Sequence, residues 1–168
     1  MKEFWQVNGR DYEIVKLLGH GKGGYSYLAV REGQQVVLKQ IHHEPCDYYT
    51  FGNKIEAEQR DYRQLLAAGI RIPRMLEIDV ENERIVKEFI DGATAAELAQ
   101  SGQLTEEHIR QVREMAQLAM AAGLNIDYYP TNFIMQDGLL YYIDYECNPY
   151  DDQWSFERWG LQYWSNIV

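Results

Sequence analysis

The first ninety positions mostly alternate as strands do, and one stretch breaks that rhythm. Phe4–Val7 and Tyr12–Leu18 lie on either side of Asn8-Gly9, a dipeptide that favours a tight hairpin turn. A glycine-rich stretch fills 19–24. Further strands are predicted over Tyr25–Val30 and Gln35–Ile41, the latter carrying the apolar run V-V-L-K. Lys54–Ala68 changes to helical spacing at Ile55, Tyr62, Leu65 and Leu66, with Gly69 as its stop. Met75–Val80 and Arg84–Ile90 read as two more strands around the polar turn Glu81-Asn82-Glu83.

Beyond Asp91-Gly92 the pattern becomes mainly helical. Ala93–Gln100 reads as a short helix. Thr105 is placed to N-cap a long one through Ala122, with Glu106 and Glu107 in the first turn, where the helix dipole favours acids. Its apolar face is Ile109, Val112, Met115 or Ala116, and Ala119 or Met120, and Gly123 ends it. Phe133–Met135 and Leu140–Ile143 flank Asp137-Gly138, a second hairpin signal. From Pro149 a tail carries Trp154, Phe156, Trp159 and Trp164 and reads as a short helix pinned by its rings. With no repeat or low-complexity tract in between, the change of pattern divides the chain into lobes 1–90 and 91–168.

Composition narrows the function classes. At 168 residues, 46% hydrophobic and 25% charged, the chain can bury a core without metals or disulfides. A net charge of −10 argues against a broad DNA- or RNA-binding face, which would be basic, but leaves room for one small phosphate site. No apolar run approaches a membrane span, and the start M-K-E-F-W-Q lacks the apolar core of a signal peptide. Cys46 and Cys147 have no C-x-x-C spacing, so a reduced, cytoplasmic setting is expected. His20, His42, His43 and His108 show no metal-ligand spacing, and a strand through 42–43 would send that pair to opposite faces.

Four separated pieces carry candidate chemistry. Gly19-His20-Gly21-Lys22-Gly23-Gly24 satisfies G-x-G-x-x-G, and Y-S-Y-L-A-V follows it as a strand, which disfavours a dinucleotide fold, where a helix opens at the last glycine. A glycine hairpin lets backbone N–H groups approach phosphates. Lys39, on the next strand, needs an anion if it faces inward, either a carboxylate or a phosphate. Glu58 shares a helix face with Tyr62 and Leu65 and is a candidate partner. Glu56 competes for that role but lies about 200° further around the helix. Asp127-Tyr128-Tyr129-Pro130-Thr131-Asn132 follows the long helix, and Asp144 stands in Y-I-D-Y-E after the second hairpin. Asp127 is suited to accept a hydroxyl proton, and Asn132 and Asp144 offer hard oxygens to Mg²⁺.

In this order and spacing, G-x-G-x-x-G, V-V-L-K, the helix Glu, E-F-I-D-G, D-x-x-P-x-N and I-D-Y-E resemble the protein-kinase-like superfamily over residues 12 to 146. The likeness is closest to compact microbial members: atypical small Ser/Thr kinases, lipopolysaccharide-core kinases and aminoglycoside phosphotransferases. It implies a two-lobed α+β fold, with an antiparallel N-lobe sheet plus one helix and a truncated, mostly helical C-lobe. ATP and Mg²⁺ are expected between the lobes. Gly19, Gly21 and Gly24 would line the phosphates, Lys39 would hold them and Glu58 would hold Lys39. Glu88, Phe89 and Ile90 would be the hinge against adenine. Asp127 would be the catalytic acid–base group, with Asn132 and Asp144 as metal ligands. The acceptor is an unspecified hydroxyl, on a protein or a small molecule, with simple ATP hydrolysis as a variant.

The departures from the family pattern also matter. Asn125-Ile126-Asp127 replaces H-R-D, Tyr129 stands where protein kinases often have lysine, and Asp144-Tyr145-Glu146 lacks the glycine of D-F-G. Val37 replaces the alanine of V-A-I-K. Twenty-two residues follow Glu146, with no A-P-E element, so the aromatic tail is expected to cap the lower lobe or to make an oligomer contact. A non-catalytic nucleotide-binding or scaffolding module is the rival reading. A partner of RNA modification, similar to the small kinase of the tRNA threonylcarbamoyl machinery, would need a local basic patch such as Arg60, Arg63, Arg71 and Arg74.

Overall fold

The computed structural model describes residues 1–21, 23–43 and 53–164. Lys22, inside the glycine pattern, and Cys46 lie outside them. The chain forms two compact units, Met1–Gln59 with Arg74–Phe89, and Arg60–Pro73 with Ile90–Val168.

The first unit is built on a six-stranded antiparallel sheet: β1 (Glu3–Val7), β2 (Arg10–His20), β3 (Gly24–Arg31), β4 (Gln34–Ile41), β5 (Met75–Asp79) and β6 (Arg84–Glu88), in the order β1-β2-β3-β4-β6-β5. Asn8 and Gly9 both have positive φ, 49° and 80°, which matches the twist of the strands they join. Glu32-Gly33 makes the same kind of turn, at 51° and 77°, between β3 and β4. Two register shifts in β2 against β3 sharpen the twist, and the sheet curls until the β1–β2 turn meets β5. There the Asp79 carboxylate accepts from Asn8 N (2.8 Å), Asn82 N (3.0 Å) and Asn82 Nδ2 (2.9 Å). Tyr12 Oη and Arg10 close the same seam on Glu77.

Alternation along β4 divides this unit's core. Val36 and Leu38 join Val7, Tyr12, Ala29 and Val86 inside the curl, whereas Ile41 packs with Ile85 and with Ile55 of α1 (Lys54–Ala68). Each fully buried aliphatic side chain contributes roughly 1.5–3 kcal/mol. Lys39 has the parity of Ile41 and therefore the α1 side. The strand ends at Ile41, as its pattern predicts, so His42 and His43 lie beyond it.

The second unit takes the rest of α1 and the chain from Ile90. Residues 93–100 are not one helix: Ala93–Thr94 forms β7, paired with β9 (Phe133–Gln136), and α2 (Ala95–Gln100) starts one residue later under a Thr94–Glu97 capping box. The Thr94 cap competes with helix at its own position and leaves the residue extended. Then α3 (Glu106–Ala121) buries Val112, Met115 and Ala119, while Met120 is exposed. Buried Gln111 ties α3 to a hairpin, accepting from Leu140 N (2.8 Å) and donating to Gly138 O (2.9 Å). After β8 (Leu124–Asn125), that hairpin is β9 (Phe133–Gln136) and β10 (Leu139–Tyr142), turned by Asp137-Gly138 at φ 51° and 79°. β11 (Asn148–Pro149) pairs with β8.

The tail is not one short helix. A 3₁₀ turn, Asp152–Trp154, is followed by a π turn, Phe156–Gly160, and by α4 (Leu161–Trp164). Trp164 is fully buried, donates Nε1 to Tyr128 O at 2.7 Å and meets Phe133 and Phe156 edge-on. Among the described residues no helix is long and apolar enough to cross a membrane.

Candidate functional site

In the first unit Lys39 and Glu58 form an ion pair, with side chains 13% and 12% exposed. The strand parity that points Lys39 at α1 and the helix phase that points Glu58 at β4 produce it, and Glu56 is exposed instead. The glycine turn passes over this pair. A Cβ added at Gly23 would sit 3.5 Å from Lys39 Nζ and 3.8 Å from Glu58 Oε1.

The glycines of the pattern have different causes. Gly24 is required by packing, since a Cβ there would lie 2.4 Å from Gln40 O on β4. Gly19 and Gly21 have neither positive φ nor any atom within 4 Å of a built Cβ, so neither backbone conformation nor packing demands glycine there. The turn is held from behind by Gly21 N to Gly24 O (2.9 Å), His42 N to Gly23 O (3.1 Å) and the His42 ring at Gly21 O (2.8 Å). The His20 and Tyr25 rings stack beside it at 4.3 Å.

Glu88, Phe89 and Ile90 follow β6, and the chain leaves the first unit for the second between Phe89 and Ile90. Glu88 is held in the first unit by Arg74, whose backbone both donates to Glu88 Oε1 (3.1 Å) and accepts from Glu88 N (2.9 Å). The sequence reading passed over Lys87. It is buried, and it opposes Val37 just as Ile85 opposes Lys39, so it shares the face that carries Lys39. The I-V-K-E alternation placed a lysine on an inward face, which was the available signal.

The second unit brings Asp127, Asn132 and Asp144 into one hydrogen-bonded framework. Tyr129 N donates to Asp127 Oδ1 (3.1 Å), an Asx-type turn that orients the carboxylate. Pro130–Asn132 is a 3₁₀ turn closed by Asn132 N to Tyr129 O (3.0 Å). Asn132 Nδ2 donates to Asp127 O (3.3 Å), and Asn132 O accepts from Ile143 N (2.9 Å), one residue before Asp144. Tyr142 Oη accepts from Asp127 N (3.2 Å) and donates to Glu146 O (2.8 Å). Full burial, followed by the nearby Asp144 charge, holds the Tyr142 phenol well above its usual pKa, so it stays a proton donor. All three candidate residues are half-buried, open enough to meet a ligand.

The neighbours of this framework are structural. Tyr145 packs on Tyr62 of α1 at 4.9 Å and donates to Pro73 O. Cys147 is buried against Asp61 and Gln64, and burial, then the Asp61 charge, push its thiol up to about 12, so it is no thiolate nucleophile. Asn125, at the first position of N-I-D, donates to Asp151 O (2.8 Å) while its buried Oδ1 has no partner among the described residues. Among those residues no group of three or more His, Cys, Asp or Glu side chains is placed to hold a metal ion. The hard oxygens that the sequence offers to a divalent ion are the Asp144 carboxylate and Asn132 Oδ1, the latter left available by the Nδ2 donation to Asp127 O. That hard-oxygen set fits Mg²⁺, which usually keeps several waters and takes substrate phosphates as ligands.

No family model matches the chain. It is similar to the KEOPS complex subunit Bud32 of Pyrococcus abyssi, 30% identical over 99 residues, covering 56% of this chain and 44% of that protein. It is also similar to the EKC/KEOPS complex subunit bud32 of Dictyostelium discoideum, 23% identical over 171 residues, covering 93% of this chain and 62% of that protein. The chain thus spans less than two thirds of the length of either curated relative. These likenesses support the protein-kinase-like superfamily, and the α+β architecture with a curled antiparallel amino-terminal sheet is consistent with that fold.

Proposed function

We propose that this protein is an ATP-dependent phosphotransferase that moves the γ-phosphate to a hydroxyl, or to water. The observation that carries the reading is the Lys39–Glu58 pair under a turn whose Gly19 and Gly21 are not required by packing. Backbone at those glycines is free to approach phosphate oxygens, and Glu58 holds the Lys39 ammonium for them. Lobes divided as 1–90 and 91–168, with Glu88–Ile90 as the hinge that offers backbone groups to adenine, belong to the same proposal.

Asp127 accepts a hydrogen bond from the acceptor hydroxyl and orients it for in-line attack. Asn132 and Asp144 hold Mg²⁺, which neutralises charge on the transferring phosphoryl group. Tyr129 N and Tyr142 Oη keep the Asp127 loop in position. The relatives' names support a further element, that the protein works within a complex containing protein partners. A non-catalytic nucleotide-binding scaffold is the competing reading, and it does not account for Asp127, Asn132 and Asp144 being gathered by a dedicated hydrogen-bond framework.

The test is nucleotide titration by thermal shift with and without Mg²⁺, alongside ADP release. ATP at a hundred times its Kd raises stability by about 2.7 kcal/mol. Lys39→Ala and Asp144→Ala abolish most of that shift. Asp127→Asn keeps it but loses ~10²–10⁴-fold in turnover, nearer the lower end for hydrolysis, because a loose transition state asks little of a base. Unchanged affinity in the first two variants overturns the site. Unchanged turnover in the third favours the scaffold.

A further inference from the structure

The aromatic residues of the second unit form two layers. Tyr128, Phe156 and Trp164 are buried and pack on one another as core. Close to them in sequence, Tyr129, Trp154, Trp159 and Tyr163 face outward. Tyr129 is 43% exposed, Tyr163 37% and Trp154 48%, and Trp159 is half-buried. Tyr129 stacks on Tyr163 with centroids 5.1 Å apart and planes at 28°, Tyr163 meets Trp159 at 5.2 Å, and Trp159 meets Trp154 at 5.9 Å. Packing accounts for the inner layer. It does not account for a continuous outer row of four rings left half in water.

This row starts beside Asp127. The peptide N–H that orients the Asp127 carboxylate belongs to Tyr129, whose ring opens the row. Its electrostatic setting is acidic on balance, although Arg113 of α3 pairs with Glu157 at 2.5 Å. From Gly123 to the end the sequence holds seven acidic residues and one basic residue, Arg158, and Arg158 is tied to Asp152 at 2.6 Å. Asp151 and Asp152 immediately precede Trp154. Electron-rich ring faces in an acidic field attract ammonium and guanidinium groups. Three successive ring-to-ring steps of 5–6 Å make the row longer than a single-ring ligand covers, and an extended peptide advances ~3.3 Å per residue along such a surface.

We propose that the Tyr129–Tyr163–Trp159–Trp154 row is the docking surface for an extended basic peptide, with lysine and arginine side chains over the rings and a hydroxyl-bearing residue at Asp127. This rests on the phosphotransfer reading for the role of Asp127, but the binding surface stands on the rings and the charge.

The test is calorimetric titration of the full chain with a short serine peptide rich in lysine and arginine, with the same peptide after every basic residue is replaced by glutamine, and with arginine amide alone. The expected results are that the basic peptide binds at least about tenfold tighter than the glutamine version and that the advantage shrinks at high salt. Trp154→Ala with Tyr163→Ala removes about tenfold of that affinity without moving the thermal midpoint, both positions being substantially exposed. If that pair unfolds, Tyr163→Leu alone serves, since it keeps apolar bulk and removes the ring. Equal binding of basic and glutamine peptides overturns the proposal, as does an unaffected ring variant. Arginine amide binding as tightly as the peptide also overturns it, in favour of a small cation. ATP titration of the wild type separates the two readings: if the basic peptide binds while no ATP is taken up, the surface stands and the phosphotransfer reading falls.

Discussion

The Tyr142 hydroxyl joins the Asp127 backbone to the chain just past Asp144, accepting from Asp127 N at 3.2 Å and donating to Glu146 O at 2.8 Å. One buried side chain on β10 thereby links two loops that Asn132 also joins, through Ile143 N to Asn132 O. Tyr142→Phe is expected to cost roughly 1–3 kcal/mol, because it removes two part-buried hydrogen bonds to backbone, one from Asp127 N and one to Glu146 O. It should also lower turnover more than it changes ATP affinity. Urea unfolding and steady-state kinetics measure the two effects separately.

The ion pair and the glycine turn can be separated by mutation. Glu58→Ala removes the carboxylate that pairs with Lys39 in a site only 13% open and should cost about 1–3 kcal/mol. Lys39→Met with Glu58→Leu should regain most of that stability and still fail to bind ATP. Recovery of both stability and nucleotide affinity in the double variant would show that the pair is only structural.

Gly21→Ala and Gly24→Ala should behave oppositely. An alanine at 24 pushes a carbon into Gln40 O and forces β3 away from β4, so a loss of at least about 1–3 kcal/mol is expected. An alanine at 21 meets open space and should shift stability by no more than about 0.5 kcal/mol, while ATP binds more weakly. Thermal melts with and without nucleotide distinguish the two effects.

Acid should weaken the start of α3. His108 Nδ1 accepts from Thr105 N at 2.9 Å, which requires an unprotonated nitrogen, and burial lowers the pKa of the ring despite the raising effect of Glu107. A folded pKa below the unfolded one means that this contribution is complete above about 6.5. It is lost as pH falls through the folded value. His108→Gln keeps an acceptor in the capping box and should flatten stability across that window. Asp79 acts in the same direction at lower pH, since the backbone N–H groups of Asn8 and Asn82 hold its carboxyl below the ordinary range.

Trp164→Ala should cost about 3–5 kcal/mol, since it empties a fully buried indole site and removes the hydrogen bond to Tyr128 O, next to the Asp127 loop. Near-UV circular dichroism and chemical denaturation would reveal the loss. An unchanged denaturation midpoint would refute the assignment of this residue to the core.

Local chemistry alone determined much of this protein. Asn8-Gly9 and Asp137-Gly138 turn where the dipeptides say, because both residues of such a turn need positive φ. Thr105 caps α3, and the bounds of α1 follow its periodicity. The pairing of Lys39 with Glu58 over Glu56 was legible because strand parity and helix phase are both sequence properties. Tertiary structure decided what depends on partners distant in the chain. Glu32-Gly33 turns although glutamate has no preference for left-handed backbone, Ala93–Thr94 joins β9 instead of α2, and Lys87 and Gln111 are buried despite their polarity. The three parts of the Asp127 framework meet through Tyr142 and Asn132, and the tail rings sort into a buried and an exposed layer. No local spacing encodes these outcomes, because each is fixed by which surface the folded chain places opposite a residue, and burial and hydrogen-bond satisfaction are settled only there.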